Sequence, residues 1–121
     1  MESYRPSIAV VDDDDMFRKS AVAVLTRNLQ REILSFESGE AALEHLEKKN
    51  SVDIILSDIN MPRMDGLEFL SKIKEKYPEK ICIMMSGYPG NEKAAMERGA
   101  YAYVNKPFNT QTIAELMRSL D

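Results

Sequence analysis

Side chains that could take part in a chemical reaction or bind a metal follow four short apolar segments of this sequence. Four consecutive aspartates, residues 12–15, follow the first segment, while Asp58, Ser86 and Lys106 end three others. Carboxylates bind hard cations such as Mg²⁺, which takes one or two of them together with water and phosphate oxygens. Hydroxyl and ammonium groups stabilise the oxygens of a phosphoryl group during transfer. These residue types predict metal-assisted phosphoryl transfer, with Asp58 as an acceptor that forms an aspartyl phosphate.

Each of these residues also has an ordinary explanation when it is taken alone. Asp14 and Asp15 are expected to cap a helix and occupy its first turn, where the partial positive charge of the N-terminus offsets their repulsion. Asp12 and Asp13 could form a solvated acidic turn, and Asp58 could be a turn residue before a proline. The lysine and the serine could equally be surface and loop residues. Only convergence at one edge of a sheet would explain all of them together.

Apolar strand-like segments alternate with amphipathic ones five times along the chain. Strands are predicted at 7–11, 32–36, 52–56, 80–85 and 102–104, and helices at 16–29, 40–49, 65–77, 91–98 and 109–120. The third helix is expected to turn Leu67, Leu70, Ile73 and Tyr77 inward. The first, third and fourth strands are continuously apolar, which is typical of parallel strands buried on both faces. The order therefore predicts a single doubly wound five-stranded parallel sheet with five helices, a three-layer α/β/α fold whose ligands bind beyond the carboxyl ends of the strands.

Length and composition limit the class of protein. A chain of 121 residues can bury one core, and its net charge of −4 offers no basic face for nucleic acid. Single copies of cysteine, Cys82, and histidine, His45, exclude a disulfide framework and a multi-histidine metal site. Cys82 is expected to be buried and His45 solvated. Lacking a membrane-length apolar run and a signal-peptide pattern, the chain is expected to be a single cytoplasmic domain over residues 1–121, without membrane or nucleic-acid contact.

The sequence resembles the receiver domains of two-component response regulators, of the CheY-like kind. The resemblance runs from about Ile8 to Leu120 and is carried by VVDDD at 10–14, SDINMPRMDG at 57–66, MSG at 85–87 and YVNKPF at 103–108. The string that begins at Asp58 is highly specific, and the Lys-Pro-Phe string stands at the expected distance from it. The resemblance implies a flavodoxin-like, CheY-like topology and a phosphorylation-dependent signalling switch.

The resemblance also implies roles for individual residues. Asp58 is expected to be the phosphoacceptor and, with Asp13, a direct Mg²⁺ ligand. Asp12 is expected to act on the metal through water, and Asn60 through its main-chain carbonyl. Ser86 would bond the phosphoryl group and move as part of the switch, and Lys106 would pair with the phosphorylated aspartate.

Further expectations concern the switch and its partners. Tyr103 resembles the aromatic switch residue, and the peptide bond before Pro107 is expected to be cis. A sensor histidine kinase or a phosphotransfer protein would donate the phosphoryl group from a phosphohistidine. The readers would be a downstream output domain or protein, or a second copy bound through the fourth helix, fifth strand and fifth helix. No enzymatic activity is expected beyond the protein's own phosphorylation and dephosphorylation.

The runner-up interpretation is an aspartate-nucleophile phosphatase of the haloacid-dehalogenase type. In that interpretation Asp12 is the nucleophile and Asp14 the acid of a D-x-D motif, but the chain is short for that fold and the string around Asp58 goes unexplained. A flavodoxin-like cofactor binder is a third interpretation. It would need an aromatic or Gly-rich phosphate loop after the first strand, where four aspartates stand instead. The aspartate that takes the phosphoryl group, Asp58 or Asp12, discriminates between the first two.

Overall fold

Five strands and five helices alternate in the computed structural model, which describes residues 6–88, 90–106 and 109–120. They are β1 Ile8–Val11, α1 Asp15–Leu29, β2 Ile33–Phe36, α2 Gly39–Lys48, β3 Ile54–Asp58, α3 Gly66–Lys76, β4 Ile81–Ser86, α4 Asn91–Glu97, β5 Ala102–Asn105 and α5 Thr110–Arg118. All four strand pairs are parallel, in the order β2-β1-β3-β4-β5. The predicted doubly wound, flavodoxin-like α/β fold is therefore confirmed.

The sheet buries two apolar layers, one on each face. Successive β1 residues alternate between them, since Ile8 and Val10 join the layer under α1 and α5, while Ala9 and Val11 join the layer under α2, α3 and α4. Strands β1 and β3 are buried throughout and β4 almost so, whereas the edge strands β2 and β5 are half exposed. The continuous apolar character of the three central strands is thus explained by burial on both faces.

Polar side chains fix where the helices begin. Asp14 caps α1 by accepting the N–H groups of Met16 and Phe17, and Asp15 occupies the first turn, as predicted. Two other helices begin in the same way: Asp65 accepts from a backbone N–H of the first turn of α3, and Asn109 does so for α5. Because each cap supplies an acceptor to otherwise unpaired N–H groups, it sets the exit of the chain from the preceding strand.

Strand β3 lies two residues further along the chain than predicted. The apolar pattern placed it at 52–56, but the ladder continues through Ser57 and Asp58, with Asp58 opposite Met85 of β4. The N–H of Ile59 still donates to the carbonyl of Met85 at 2.9 Å. Hydropathy could not show this extension because the added residues are polar, yet their backbone groups pair with β4 like those of their apolar neighbours.

Three side-chain expectations are resolved by the packing. On α3 and its C-cap, Leu70, Ile73 and Tyr77 are buried as predicted and Leu67 packs partly buried against the core, while Phe69, which the pattern did not select, is also buried. His45 is half-buried, not solvated, and its ring lies 5.2 Å from that of Phe36. Cys82 is buried as expected, and burial raises the pKa of its thiol to about 11. Within the described ranges, no helix combines the length and the apolar character needed to cross a membrane.

Candidate functional site

The ends of β1 and β3 bring three carboxylates together. These strands are neighbours at the point where the strand order reverses, which is where ligands bind in open α/β sheets. Asp12, Asp13 and Asp58 each offer a carboxylate oxygen, and these oxygens lie within 4.8 Å of one another. Asp12 and Asp58 are buried, with 0% and 6% exposure, whereas Asp13 is exposed. The predicted convergence of two separate sequence segments is therefore present.

Lys106, directly after β5, supplies an ammonium group to this acidic cluster. Its Nζ lies 2.9 Å from Oδ2 of Asp12 and 3.4 Å from Oδ1 of Asp58. The same Nζ lies 4.3 Å from the centroid of the Phe17 ring, a favourable position for a cation over an aromatic face. One lysine set against three carboxylates leaves the cluster with an excess of negative charge when all of them are ionised.

The protonation preferences of the site follow from burial and these charges. Burial raises the pKa of Asp58 to about 6, and the charge of Asp12 adds to the effect, while Lys106 and the backbone of Asn60 oppose it. Burial lowers the pKa of Lys106, but its hydrogen bonds and charge attraction to Asp12 and Asp58 outweigh burial, so the net shift is upward. The lysine therefore stays charged at neutral pH, and Asp58 ionises more readily when another cation approaches.

The donor set fits a hard divalent cation. Carboxylate oxygens are the ligands that Mg²⁺ prefers, and the excess negative charge of the cluster would be neutralised by a divalent ion. Asp13 is exposed to solvent, so one carboxylate of the cluster is accessible to an ion from outside. Softer ions such as zinc prefer nitrogen and sulfur donors, whereas this cluster offers carboxylates alone. The residues present therefore match magnesium by charge and by donor type.

Ser86, the last residue of β4, reaches the site through Asn60. Its buried hydroxyl donates to Oδ1 of Asn60 at 2.8 Å and accepts the N–H of Tyr88 at 3.0 Å. Nδ2 of Asn91, the first residue of α4, also donates to it at 3.0 Å. Asn91 was given no role from the sequence. The signal was only its position five residues after Ser86, and no periodicity or motif distinguishes such an asparagine from an ordinary loop residue.

Tyr103 contacts the same loop as Ser86. The ring is half-buried against the core, and its hydroxyl lies 3.0 Å from the carbonyl oxygen of Tyr88 and 3.5 Å from that of Ser86. The predicted switch tyrosine is therefore adjacent to the loop that follows β4. The predicted cis bond before Pro107 falls outside the described residues, as does Phe108.

Gly66 allows the start of α3 to pack against the backbone that carries Asp58, a role that was not predicted from the sequence. A Cβ at this position would lie 2.2 Å from the carbonyl oxygen of Asp58 and 2.5 Å from Cα of Ile59, far inside van der Waals contact. The N–H of Gly66 donates to the carbonyl of Ile59 at 2.7 Å. The start of α3 is thus packed directly on the backbone that carries Asp58, which only glycine permits.

Comparison with known proteins agrees with this geometry. The family model of the response regulator receiver domain matches residues 8–118. The chain is 39% identical over 119 residues to the DNA-binding transcriptional regulator NtrC of Proteus hauseri, covering 94% of this chain and 24% of that protein. It is 32% identical over 117 residues to a chemotaxis protein CheY homolog of Campylobacter jejuni, covering 93% of this chain and 90% of that protein.

A solved structure gives the same result. The chain superimposes on a CheY-like response regulator receiver domain protein from Methanospirillum hungatei JF-1 with a TM-score of 0.86 and 27% identity, covering 97% of this chain and 94% of that one. The chain spans about a quarter of the NtrC relative and nine-tenths of the CheY homolog. The fold, the acidic cluster and these likenesses agree: the chain belongs to the response regulator receiver domains of two-component signalling systems.

Proposed function

We propose that this protein is a signalling switch in which Asp58 accepts a phosphoryl group from a phosphohistidine. The observation that carries the proposal is a buried carboxylate at a strand end, with Asp12 on one side and the ammonium of Lys106 at 3.4 Å. The donor would be a sensor histidine kinase or a phosphotransfer protein. The chain would catalyse only its own phosphorylation and dephosphorylation.

Magnesium is part of the proposal. Asp13 and Asp58 would hold the ion directly, Asp12 through water, and Asn60 through its main-chain carbonyl. When bound, the ion would neutralise the carboxylates and the incoming phosphoryl oxygens. Support comes from the three carboxylate oxygens that lie within 4.8 Å of one another.

The residues of this chain would divide the transfer among them. One oxygen of Asp58 forms a bond to phosphorus, the bond from phosphorus to the donor histidine nitrogen breaks, and the imidazole leaves with the electron pair. Lys106, already within reach of Asp58, would stabilise one phosphoryl oxygen. Ser86 would donate its hydroxyl proton to another after leaving Asn60.

The response would then reach the α4-β5-α5 face. Movement of Ser86 would draw the loop after β4 inward and change the position of Tyr103, whose hydroxyl bonds that loop. Three of the four large exposed hydrophobic side chains of the described residues lie at or near α4 and β5: Tyr88, Met96 and Tyr101. An output domain or protein, or a second copy of this chain in a homodimer, would read this surface.

Residues 1–121 would form one receiver domain located in the cytoplasm, and the acidic net charge of −4 supports an output that does not use this domain to bind nucleic acid. The phosphatase interpretation assigns the phosphoryl group to Asp12. That interpretation leaves the buried Asp58 without a role, and the family model that matches residues 8–118 is that of a receiver domain.

Locating the phosphoryl group tests the function. The protein is incubated with acetyl phosphate and Mg²⁺, and the added mass is assigned to a residue by peptide mass spectrometry. We expect label on Asp58, complete loss of label in Asp58→Asn, and normal labelling in the control Asp15→Asn. Label that persists in Asp58→Asn would refute the assignment, and label on Asp12 would support the phosphatase.

Metal affinity tests the geometry of the cation site. Asp13 belongs to the carboxylate cluster, whereas Asp15 lies in the first turn of α1 and pairs with Arg18. Calorimetry with Mg²⁺ is expected to show an affinity loss of tenfold or more in Asp13→Asn, since losing even a residue that only supports a metal ligand costs about 10- to 100-fold, and little change in Asp15→Asn. Equal losses would contradict the proposed ligand set. Millimolar Mg²⁺ should also raise the melting temperature of the wild type by mass action.

A further inference from the structure

We infer that Asn91 holds Ser86 in the unphosphorylated arrangement and links that hydroxyl to helix α4. The inference rests on the proposed function and adds a positioning residue to it. Asn91 is half-buried, and its side chain folds back from the first turn of α4 to donate to Oγ of Ser86. It would act through Ser86, without contact to the phosphoryl group.

The bonding capacity of the Ser86 hydroxyl is fully used. A serine hydroxyl has one hydrogen and two lone pairs. The hydrogen goes to Oδ1 of Asn60, and the lone pairs accept the N–H of Tyr88 and Nδ2 of Asn91. Ser86 is completely buried, so water does not compete for these positions. The hydroxyl can therefore donate to a phosphoryl oxygen only by giving up Asn60.

The same bonds connect Ser86 to the start of α4. Gly90 precedes the helix and supplies no capping side chain. The N–H of Asn91 donates to the carbonyl of Tyr88 at 3.1 Å, and that carbonyl also accepts the hydroxyl of Tyr103 at 3.0 Å. Asn91 is thus bonded to the loop through its backbone and to Ser86 through its side chain. A displacement of Ser86 would pull on α4 or break the Asn91 bond.

The bond from Asn91 therefore opposes activation. This bond to Ser86 stabilises the arrangement in which the hydroxyl points to Asn60, and so opposes the one in which it points to the phosphoryl group. A phosphoryl mimic favours the arrangement in which the hydroxyl points to the phosphoryl group. Its apparent affinity therefore falls as the fraction of molecules in the Asn60-bonded arrangement rises. Removing the Asn91 donor would therefore tighten the binding of a phosphoryl mimic.

Two variants test this inference without weakening the helix. Asn91→Ala and Asn91→Leu both remove the donor, and both residues have higher helix propensity than asparagine. The control is Lys93→Ala, an exposed position in the same turn of α4. Beryllofluoride, a phosphoryl mimic, is titrated in the presence of Mg²⁺ while NMR follows the Tyr88 amide and the Tyr103 ring. Circular dichroism checks that every variant is folded.

We expect beryllofluoride to bind roughly two- to fivefold more tightly in both Asn91 variants, the effect of losing one neutral hydrogen bond from the competing state. The Tyr103 ring resonances of the unliganded variants should also move toward their mimic-bound positions, and Lys93→Ala should match the wild type. Unchanged or weaker binding in either Asn91 variant overturns the inference, provided that the wild type responds. A wild type that does not bind the mimic at Asp58 overturns the proposed function instead.

Discussion

Buried charged groups lie at both ends of strand β4, and they are balanced differently at the two ends. Just before the first residue of β4, Lys80 is 4% exposed and donates to Oδ1 of Asn50 and to the carbonyl of Val52, with its Nζ 5.2 Å from the Tyr77 ring centroid. Beyond its last residue lies the cluster of Asp12, Asp58 and Lys106. The amino end of the sheet thus satisfies one ammonium with neutral oxygens and a ring face, while the carboxyl end leaves carboxylates in excess.

The amino end of the sheet is built for stability, whereas the carboxyl end is suited to binding a cation. The Lys80 ammonium keeps its hydrogen bonds inside the protein, and it ties the segment before β3 to the start of β4. Two buried carboxylates at the other end repel each other, and the pKa of Asp58 rises to about 6 as a result of burial and of the Asp12 charge. That end is less stable by itself and gains stability from any cation that arrives. The unbalanced end is therefore suited to respond to metal and phosphoryl groups.

The largest expected effect concerns the close packing at the carboxyl end. Gly66→Ala would force apart backbone atoms that leave only 2.2 Å between the new Cβ and the carbonyl oxygen of Asp58. We expect a loss of about 3 kcal/mol in the free energy of unfolding, measured by urea denaturation. Gly87→Ala is the control, since a Cβ there would meet no heavy atom within 4 Å. Equal stability of the two variants would show that the α3–β3 contact is not tight.

The next effect sharpens the contrast at the amino end. Lys80→Met keeps the aliphatic stem but leaves Asn50 and the Val52 carbonyl without their donor, and we expect a loss of about 2 kcal/mol by urea denaturation. The control is Lys76→Met, which removes an exposed lysine 5.6 Å from the same Tyr77 ring and should change stability by less than about 0.5 kcal/mol. Phosphorylation of Lys80→Met by acetyl phosphate should be retained. Loss of labelling in the folded variant would contradict the separation of the two ends.

The smallest effect has the opposite sign. Because the pKa of Asp58 is raised in the folded protein, its contribution to stability is greatest at acidic pH and is lost as the pH rises through about 6. Asp58→Asn should therefore stabilise the metal-free protein at pH 7 and flatten the fall in stability between about pH 4 and 6. Thermal unfolding across this range, with and without chelator, measures both.

Two outcomes would contradict this account of Asp58. A destabilised Asp58→Asn in chelator would mean that the ion pair with Lys106 outweighs burial and the repulsion from Asp12. Equal stabilisation of wild type and variant by Mg²⁺ would mean that Asp58 does not hold the metal. The exposed Asp15→Asn serves as the control and should change stability by no more than about 0.5 kcal/mol.

Much of the fold could be predicted from local pattern. The strands of the buried centre are continuously apolar, and the helix caps Asp14, Asp65 and Asn109 are side chains whose preference for that position is intrinsic. The boundary of β3 was wrong by two residues because Ser57 and Asp58 are polar but still pair with β4. His45 was assigned to solvent because a charged neighbourhood along the chain does not reveal that Phe36 lies beside it.

The sequence by itself determined which groups stand at the ends of the strands, since residue type and the parallel topology are enough to bring Asp12, Asp58 and Lys106 to one edge. Only the tertiary structure decided how those groups are balanced. That Asp12 takes the closer contact with Lys106, that Asn91 completes the bonds of Ser86 and that Gly66 lies on the backbone of Asp58 all depend on distances between distant segments. Steric and hydrogen-bond energies change steeply over a few tenths of an ångström, a scale that residue spacing along the chain does not encode.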